Sequence, residues 1–371
     1  MRRYLRVCVW ICCALALAFA PAGAPAHAGR EKALELFAYD ASRPLDVREK
    51  RIRKEDGVEE YDLSFASPMG GRVTAYLLVP SGGKGPYAGI LLMHGATGSR
   101  RSLLPGARIL CRAGAVCLLP DAPFCGDRAE MGKRLVDINK PEQMRAGVIQ
   151  SVVELRRAVD LLVARPDVDR KRIAFIGSSL GGSIGGILAG VEKRVAAYAL
   201  LVASGSWHEA ALKSRHPLAR LARLGVSKQT IDKAATLLAD VDPIHYVGHA
   251  APSALLFQNG RRDTTVPAEC AQAYQDAGSQ PKVCKWYPSG HELDIDAFMD
   301  RAQWLHEKIG MFEMVVGELD AILGAADSTF ETSLAQIFLT ARDGAELRTR
   351  LDNLAGELMS KKRQDPLISL I

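Results

Sequence analysis

A serine, an aspartate and a histidine in this sequence stand where they could act together in nucleophilic catalysis. The serine, Ser179, is the middle residue of Gly177-Ser178-Ser179-Leu180-Gly181, a G-x-S-x-G pattern. A short apolar run precedes this pattern and a run of small apolar residues follows it, which indicates a buried strand and then a closely packed helix. Strand, tight turn and helix in this order predict a nucleophile elbow, a strained turn that lifts the Ser179 hydroxyl above the edge of a sheet.

A serine hydroxyl needs a base, and Asp263 and His291 follow Ser179 in the order that an elbow of this kind requires. Asp263 comes shortly after an apolar strand predicted over residues 253–259, and His291 comes shortly after one predicted over residues 282–287. Both residues therefore lie past the carboxyl ends of strands, at the edge where open α/β sheets place their sites. We predict that His291 takes the proton of Ser179 Oγ while Asp263 orients the imidazole and stabilises its charged form.

Acyl transfer also needs hydrogen-bond donors for the oxyanion that develops on the attacked carbonyl. An apolar strand predicted over residues 88–93 runs into the loop 94–98, which contains two glycines. A turn in this loop can aim the backbone N–H of Ala96 at the oxyanion, with Thr97 as the alternative. The N–H of Leu180, directly after the nucleophile, is the second predicted donor.

Several other carboxylates and histidines receive structural interpretations. Asp121 and Asp127 precede the nucleophile in the chain, so neither is expected to be the acid, and their loop is predicted to line the substrate pocket. His94 also precedes it and is interpreted as a structural partner of the oxyanion loop. His245 and His249 are four residues apart, but without an H-E-x-x-H pattern they are expected to be surface or pocket-wall residues, and no metal is predicted.

Taken together, these features resemble the α/β-hydrolase family, within it most closely the dienelactone-hydrolase and acetyl-esterase branch and the related prolyl-oligopeptidase-type catalytic domains. The resemblance covers roughly residues 55–310 and rests on His94-Gly95, the Ser179 elbow, the turn from Gly260 to Asp263 with Val266-Pro267 after it, and Gly290-His291. It implies an α/β fold with a mostly parallel, doubly wound sheet and acyl transfer that needs no metal or organic cofactor. It does not imply a substrate, because this fold hosts many chemistries.

The N-terminal residues have the features of a targeting segment. A basic start is followed by the apolar stretch 7–20 and by small residues at 26–28, so residues 1–28 are predicted to be a cleaved signal peptide. The alternative is an uncleaved membrane anchor, for which the apolar stretch is short. We therefore expect an exported protein, periplasmic or secreted, with no stable membrane insertion after cleavage.

Charge and cysteine content narrow the function classes. The formal net charge is +6, and three of these charges come from Arg2, Arg3 and Arg6 in the predicted signal peptide. No cluster of basic residues with interleaved aromatics appears, so a nucleic-acid partner is not expected. Export permits disulfides. A Cys270–Cys284 bridge and buried free thiols are equal alternatives, and the other cysteines of the mature chain are Cys111, Cys117 and Cys125.

The chain divides into four predicted parts. After the signal peptide, residues 29–57 are expected to form a charged, solvated lead-in beside the sheet. Residues 58–310 form the catalytic domain, in which residues 204–250 are an inserted helical segment placed as a cap over the pocket. Residues 311–371 carry amphipathic stripes and are predicted to be a helical extension that packs on the catalytic domain or joins a second subunit in a homo-oligomer.

These observations predict an exported serine hydrolase that cleaves a small-molecule carboxylic ester through an acyl-enzyme. Short acyl groups are expected, because charged residues interrupt any broad apolar surface on the cap: Lys213, Arg215, Arg220, Arg223, Lys228 and Lys233. One alternative is an exopeptidase or amidase of the prolyl-oligopeptidase type, although such enzymes usually carry a large N-terminal propeller. The other is a non-catalytic binding protein on a hydrolase scaffold.

Overall fold

The computed structural model of the protein describes residues 34–55, 57–81 and 85–311, together with residue 353. The predicted signal peptide lies outside these residues, and so, apart from residues 311 and 353, does the predicted C-terminal extension. By contacts the chain forms two units, Met1–Ala38 and Tyr39–Ile371. In the first unit the described part begins with a short helical turn at residues 34–37, in which the Phe37 N–H donates to the Leu34 carbonyl. All that follows concerns the second unit.

In its described part, the second unit is organised around a sheet of nine strands in the order β1-β2-β3-β5-β4-β6-β7-β8-β9. The strands are β1 (Arg48–Glu55), β2 (Val58–Ala66), β3 (Arg72–Pro80), β4 (Tyr87–Met93), β5 (Ala115–Pro120), β6 (Val168–Ser178), β7 (Ala197–Leu201), β8 (Ala254–Gly260) and β9 (Lys282–Tyr287). Strands β1, β2, β3 and β5 pair antiparallel in that order, whereas β4 to β9 are mutually parallel wherever they pair. The prediction of a mostly parallel sheet is thus confirmed.

The helices alternate with the parallel strands, as a doubly wound sheet requires. They are α1 (Leu104–Arg112), α2 (Pro141–Ala164), α3 (Leu180–Val191), α4 (Trp207–Lys213), α5 (Pro217–Leu224), α6 (Lys228–Leu238), α7 (Ile244–Val247), α8 (Ala268–Ala277) and α9 (Ile295–Ile309). Among the described residues, no helix is both long enough and apolar enough to cross a membrane.

Side chains that alternate along the central strands pack on opposite faces of the sheet. On β6, Ala174 and Ile176 belong to a buried cluster that includes Leu110 of α1 and Leu305 of α9. Phe175, between them, points to the other face, where its ring lies against Gly185 of α3. The central strands are buried on both sides, which explains why their sequences are nearly continuous apolar runs.

The charged run at residues 48–55 differs from its prediction as a solvated lead-in, because it forms the edge strand β1. Its backbone pairs antiparallel with β2, with Arg48 opposite Ser64, and its side chains stay almost wholly exposed. Charged side chains on an exposed edge discourage pairing with another chain. The polar composition of this segment predicted a solvated lead-in. Its backbone pairing with β2 shows that residues 48–55 form a strand.

The inserted segment 204–250 is helical, as predicted, and contains α4 to α7. It is tied to α2 by a two-point ion pair between Arg145 and Asp240, with Nε to Oδ1 at 2.9 Å. It also reaches the loop after β8, where the Arg215 N–H donates to the Thr264 carbonyl at 2.7 Å. The cap prediction for this segment remains a prediction, but the contact with Thr264 lies in the loop after the carboxyl end of β8.

The cysteines at 111, 117, 125, 270 and 284 all carry free thiols. Cys270 is buried on α8, and Cys284 is exposed on the edge strand β9. The structure therefore has the free thiols that were one of the two alternatives for this pair.

Candidate active site

Ser179 occupies a strained turn between β6 and α3. Its backbone has φ 55° and ψ −116°, and a positive φ is costly for a residue with a Cβ atom, so the surrounding structure must hold it. The Ser179 N–H donates to the carbonyl of Leu201 on β7 at 2.8 Å, and the Ser179 carbonyl accepts from the Ser183 N–H at 2.9 Å. This is the backbone geometry that the G-x-S-x-G pattern predicts for an elbow.

Glycines on either side of Ser179 allow the turn to be this tight. A Cβ atom at Gly177 would lie 2.3 Å from the carbonyl oxygen of Gly181, and one at Gly181 would lie 2.3 Å from that of Met93. In both cases the obstacle is backbone, which cannot rotate away as a flexible side chain can. The N-terminus of α3 therefore packs directly against the end of β4, where the oxyanion loop begins.

The loop 94–98 lies beside the nucleophile, as predicted. An ideal Cβ atom at Gly95 would stand 3.5 Å from the Cβ atom of Ser179. The loop is a turn closed by the Gly98 N–H, which donates to the Gly95 carbonyl at 3.1 Å. Ala96 and Thr97 are exposed at its tip, and Leu180 is the first residue of α3. This placement is compatible with Ala96 and Leu180 as oxyanion donors, and that role stays a prediction.

His94 anchors the base of the loop and is almost fully buried, with 1% of its surface exposed. Its Nε2 accepts the N–H of Ala122 at 3.2 Å, while Nδ1 lies 2.7 Å from the Gly95 carbonyl oxygen. An acceptor Nε2 requires the proton to be on Nδ1. Burial lowers the pKa of His94, which favours this neutral form. The contacts agree with the interpretation of His94 as a structural partner of the oxyanion loop.

The structure brings His291 and Asp263 together. His291 Nδ1 lies 2.7 Å from Asp263 Oδ2. The other oxygen of the aspartate, Oδ1, accepts the backbone N–H groups of Thr265 at 2.7 Å and Val266 at 2.9 Å. The Asp263 side chain is 2% exposed and the His291 side chain 23% exposed. Because an ionised Asp263 accepts the Nδ1 proton, the more exposed imidazole is left with Nε2 as its basic nitrogen.

The three predicted catalytic residues share one edge of the sheet. Ser179 follows β6, Asp263 follows β8 and His291 follows β9, and these strands are parallel. Within the described residues, Ser179 Oγ takes part in none of the hydrogen bonds found. Catalytic hydrogen bonds are often long without a bound substrate and tighten in the complex. The structure thus joins His291 to Asp263, the predicted base and acid, and it has Ser179, the predicted nucleophile, on the same edge.

Asp121 and Asp127 are held by Arg100, a buried arginine that sequence reasoning missed. Asp121 accepts the Arg100 N–H on Oδ1 at 2.8 Å, and its Oδ2 lies 3.2 Å from Arg100 Nε. Asp127 pairs with the same guanidinium, which lowers the pKa of the Asp127 carboxyl. Arg100 follows the oxyanion loop directly, so this ion cluster braces that loop against the one after β5. The sequence contains no periodic signal that would have identified Arg100 as buried.

Asp232, Asp240 and Asp242 of the inserted segment pair with groups other than the imidazole of His291, Asp232 with His208. Asp240 pairs with Arg145 as described above, and Asp242 accepts the Trp207 N–H on Oδ1 at 2.8 Å. His245 lies in α7 and His249 two residues beyond the end of that helix. Across the ranges that the structure describes, no group of three or more His, Cys, Asp or Glu side chains is placed to hold a metal ion.

The chain belongs to the alpha/beta hydrolase family, whose sequence model matches residues 90–353. The fold is similar to that of the acetyl xylan esterase from Paenibacillus sp. R4, with TM-score 0.63, 19% identity, and coverage of 75% of this chain and 93% of that one. For acetyl xylan esterase 1 from Thermoanaerobacterium sp. JW/SL YS485 the TM-score is 0.60 at 18% identity, with 77% and 93% covered. No curated protein sequence matches the chain.

A third similar structure is an esterase from Pyrococcus furiosus, with TM-score 0.51 and 14% identity over 72% of this chain and 98% of that one. At these identities the likeness shows the fold. The family membership and the fold agree with the resemblance that the sequence motifs indicate.

Proposed function

We propose that the protein is a serine hydrolase that cleaves carboxylic esters through an acyl-enzyme on Ser179. The observation that carries this proposal is the bond of 2.7 Å between His291 Nδ1 and Asp263 Oδ2, at the sheet edge where Ser179 is held in a strained turn. A strained serine, together with an imidazole oriented by a carboxylate at the same sheet edge, supports a catalytic role, because backbone strain tends to cluster at functional sites.

The residues account for both halves of the reaction. His291 Nε2 takes the proton from Ser179 Oγ as the oxygen attacks the ester carbonyl, and Asp263 stabilises the imidazolium that forms. The N–H groups of Leu180 and Ala96 bind the oxyanion, helped by the positive end of the α3 dipole. When the intermediate collapses, the alcohol leaves with the proton from His291. Water then gives a proton to His291 and attacks the acyl carbon, so that the acid is released and Ser179 recovers its proton.

Esters are the proposed substrates because solved structures with this fold include proteins named as acetyl xylan esterases and as esterases. The structure of the inserted segment supports a short acyl group. Its charged side chains Lys213, Arg215, Lys228 and Lys233 are exposed, and Leu224 is the only large exposed apolar one among the side chains of the segment that the structure describes. A broad apolar surface is what a lipid-binding lid must present, and this one is charged.

The test is a series of p-nitrophenyl esters of increasing acyl length, compared by kcat/KM, with aminoacyl p-nitroanilides measured beside them. We expect the maximum at two to four carbons and little cleavage of the anilides. A maximum at eight carbons or more would refute the short-acyl part while leaving an esterase. Faster cleavage of the anilides would replace the ester proposal with an amidase or exopeptidase.

We also propose that the protein is exported and that residues 1–28 are removed. The support is the basic start and apolar stretch of those residues. N-terminal sequencing of the protein from the culture medium and the periplasmic fraction should give a chain beginning near Gly29. Sedimentation of the full chain tests the proposed homo-oligomer through residues 311–371. A variant truncated after residue 311 should then sediment as a monomer.

A further inference from the structure

A buried polar cluster beneath the His291 loop has no part in the chemistry proposed above. We call it the Gln258 cluster; it consists of Gln258 on β8, Tyr287 at the end of β9, and Asp300 and Arg301 on α9. Gln258 is fully buried, and Tyr287 is 5% exposed. Burying a polar amide within a strand costs free energy unless each of its hydrogen-bonding groups has a partner. The partners of Gln258 therefore indicate which elements it connects.

The Gln258 amide reaches two different elements. Its Nε2 donates to the Tyr287 hydroxyl at 2.7 Å and to the Ala297 carbonyl at 2.6 Å. Its Oε1 accepts from Arg301 Nη1 at 2.8 Å. Tyr287 in turn donates its hydroxyl proton to Asp300 Oδ2 at 2.8 Å. One side chain of β8 therefore fastens the end of β9 to the first turns of α9.

β9 and α9 flank the loop that carries His291. Strand β9 ends at Tyr287 and α9 begins at Ile295, so the loop comprises the seven residues 288–294. The acid comes from β8 itself, because Asp263 follows the last strand residue, Gly260, by three positions. The Gln258 cluster thus joins β8, which precedes Asp263, to β9 and α9, which flank the loop that carries His291.

The two loops also pack backbone against backbone. The Arg261 N–H donates to the Tyr287 carbonyl at 2.8 Å, and the Arg262 N–H donates to the Ser289 carbonyl at 3.0 Å. A Cβ atom at Gly260 would lie 2.2 Å from the Gly290 carbonyl oxygen. A small shift of Tyr287 would therefore move Ser289, Gly290 and His291 relative to the loop after β8, which carries Asp263.

We propose that Gln258 and Tyr287 are positioning residues that hold the His291 loop in the register in which Nδ1 meets Asp263. The proposal uses the His291–Asp263 pair but not the identity of the substrate. It predicts that loss of the Tyr287 hydroxyl loosens the pair, even though Tyr287 touches neither member of it by a hydrogen bond. The loss should act on catalytic rate more than on substrate affinity.

The experiment compares Tyr287→Phe with Tyr198→Phe. Tyr198 on β7 is the control, since it is likewise a buried tyrosine, and its hydroxyl donates at 2.8 Å to the Glu192 carbonyl, just beyond α3 at the opposite edge of the sheet. Both variants lose one buried hydroxyl and should lose similar amounts of thermal stability. We expect Tyr287→Phe to lower kcat on the order of 10- to 100-fold, as small misplacements of a catalytic group do, with KM within about twofold. Tyr198→Phe should leave kcat unchanged.

A second measurement does not depend on activity. The proton on His291 Nδ1 should give a resolved downfield NMR resonance, assigned by its disappearance in Asp263→Asn. In Tyr287→Phe this resonance should shift and broaden, and in Tyr198→Phe it should not. If wild-type protein cleaved no ester, the resonance would still decide whether the cluster positions His291, so the two proposals can fail separately.

Two outcomes would overturn the proposal. One is equal kcat in both tyrosine variants, and the other is an unchanged resonance in Tyr287→Phe. Should Tyr287→Phe fail to fold, Gln258→Glu serves in its place, because its carboxylate keeps the pairing with Arg301 and loses the donors to Tyr287 and Ala297. It should lower kcat as Tyr287→Phe does, and normal kcat with a normal resonance would reject the inference. In the Asp263→Asn background, either variant should have no further effect on kcat.

Discussion

The nucleophile side and the acid–base side of this site are held in place by different means. Ser179 and its oxyanion loop are fixed by close backbone packing, with Gly177 and Gly181 at positions where a side chain would meet a neighbouring main chain. Asp263 and His291 come from two loops more than twenty residues apart in the chain, and side chains join them. Neither arrangement is local in sequence, because Gly95 lies 84 positions before Ser179 and Asp263 lies 28 positions before His291; the two differ in whether backbone or side-chain groups make the contact.

This difference shows where each side is vulnerable. A contact between backbones tolerates no added atom, whereas a network of buried side chains loses precision when one member is changed and can still fold. The nucleophile side should therefore respond to substitution by losing activity or structure outright. The acid–base side should respond with graded losses in rate, and the predictions below test this contrast.

The largest effect is expected from Ser179→Ala, which removes the attacking oxygen. Turnover should fall about 10⁶-fold, the scale seen when a serine hydrolase loses its nucleophile, and labelling by a fluorophosphonate probe should disappear. The matched control is Ser178→Ala, one residue earlier in the same turn, which should keep labelling and substantial turnover. Labelling that survived in Ser179→Ala would place the nucleophile elsewhere.

Asp263→Asn should have the next largest effect, on the order of 10⁴-fold in kcat. An asparagine amide in this position can donate to His291 Nδ1, which places the imidazole proton on the wrong nitrogen. The Thr265 and Val266 N–H groups keep an acceptor if the amide oxygen faces them, so the fold should be retained. Steady-state kinetics measures the effect, and Asp242→Asn is the comparison. A larger loss in Asp242→Asn than in Asp263→Asn would contradict the assignment of the acid.

The contrast also explains how much could be predicted from sequence. Ser179, Asp263 and His291 could be predicted to share one sheet edge, where the structure has them, since each follows shortly after an apolar strand; their catalytic roles stay predictions. Arg100 and Gln258 could not be identified as buried, because a polar residue in a loop or strand has no periodic signal of its own. Their partners, such as Asp121 and Arg301, are brought to them only by tertiary packing.

Strand β1 was missed for a related reason. Its residues are nearly all charged and exposed, so neither alternation nor apolar content marks it as a strand. What defines β1 as a strand is its row of hydrogen bonds to β2. Such pairing depends on the partner strand as much as on the residues of β1 themselves. Edges and buried polar contacts were thus the hardest features to predict, while the buried parallel strands were the easiest.

Gly260→Ala tests whether the acid–base side also depends on backbone packing. The added Cβ atom would lie 2.2 Å from the Gly290 carbonyl oxygen, so the His291 loop must move away from Asp263. We expect kcat to fall on the order of 10- to 100-fold together with a lower Tm. The control is Gly106→Ala on α1, where no atom lies within 4 Å of the added Cβ; it should raise stability slightly. Unchanged kcat in Gly260→Ala would mean that side chains alone set the position of the His291 loop relative to Asp263.

The smallest effect concerns His94, which joins the nucleophile side to the loop after β5. Burial lowers the pKa of His94 in the native state, whereas in the unfolded chain it returns to about 6.5. As the pH falls below this value, the unfolded state takes up a proton that the native state does not. By linkage, stability must then decrease. The stabilisation is fully present above the unfolded pKa and is lost progressively as the pH falls toward the native one.

Urea unfolding of wild type and His94→Gln between pH 5 and 8 measures this term. The variant keeps an acceptor for the Ala122 N–H but cannot titrate, so the difference in unfolding free energy should favour wild type most at pH 8 and shrink as the pH falls. The other histidines are the same in both proteins, so their contributions cancel from the difference. A difference independent of pH would mean that the imidazole is protonated in place. In that case Nε2 could not accept from Ala122, and the oxyanion loop would be held by Arg100 and the turn at Gly98 alone.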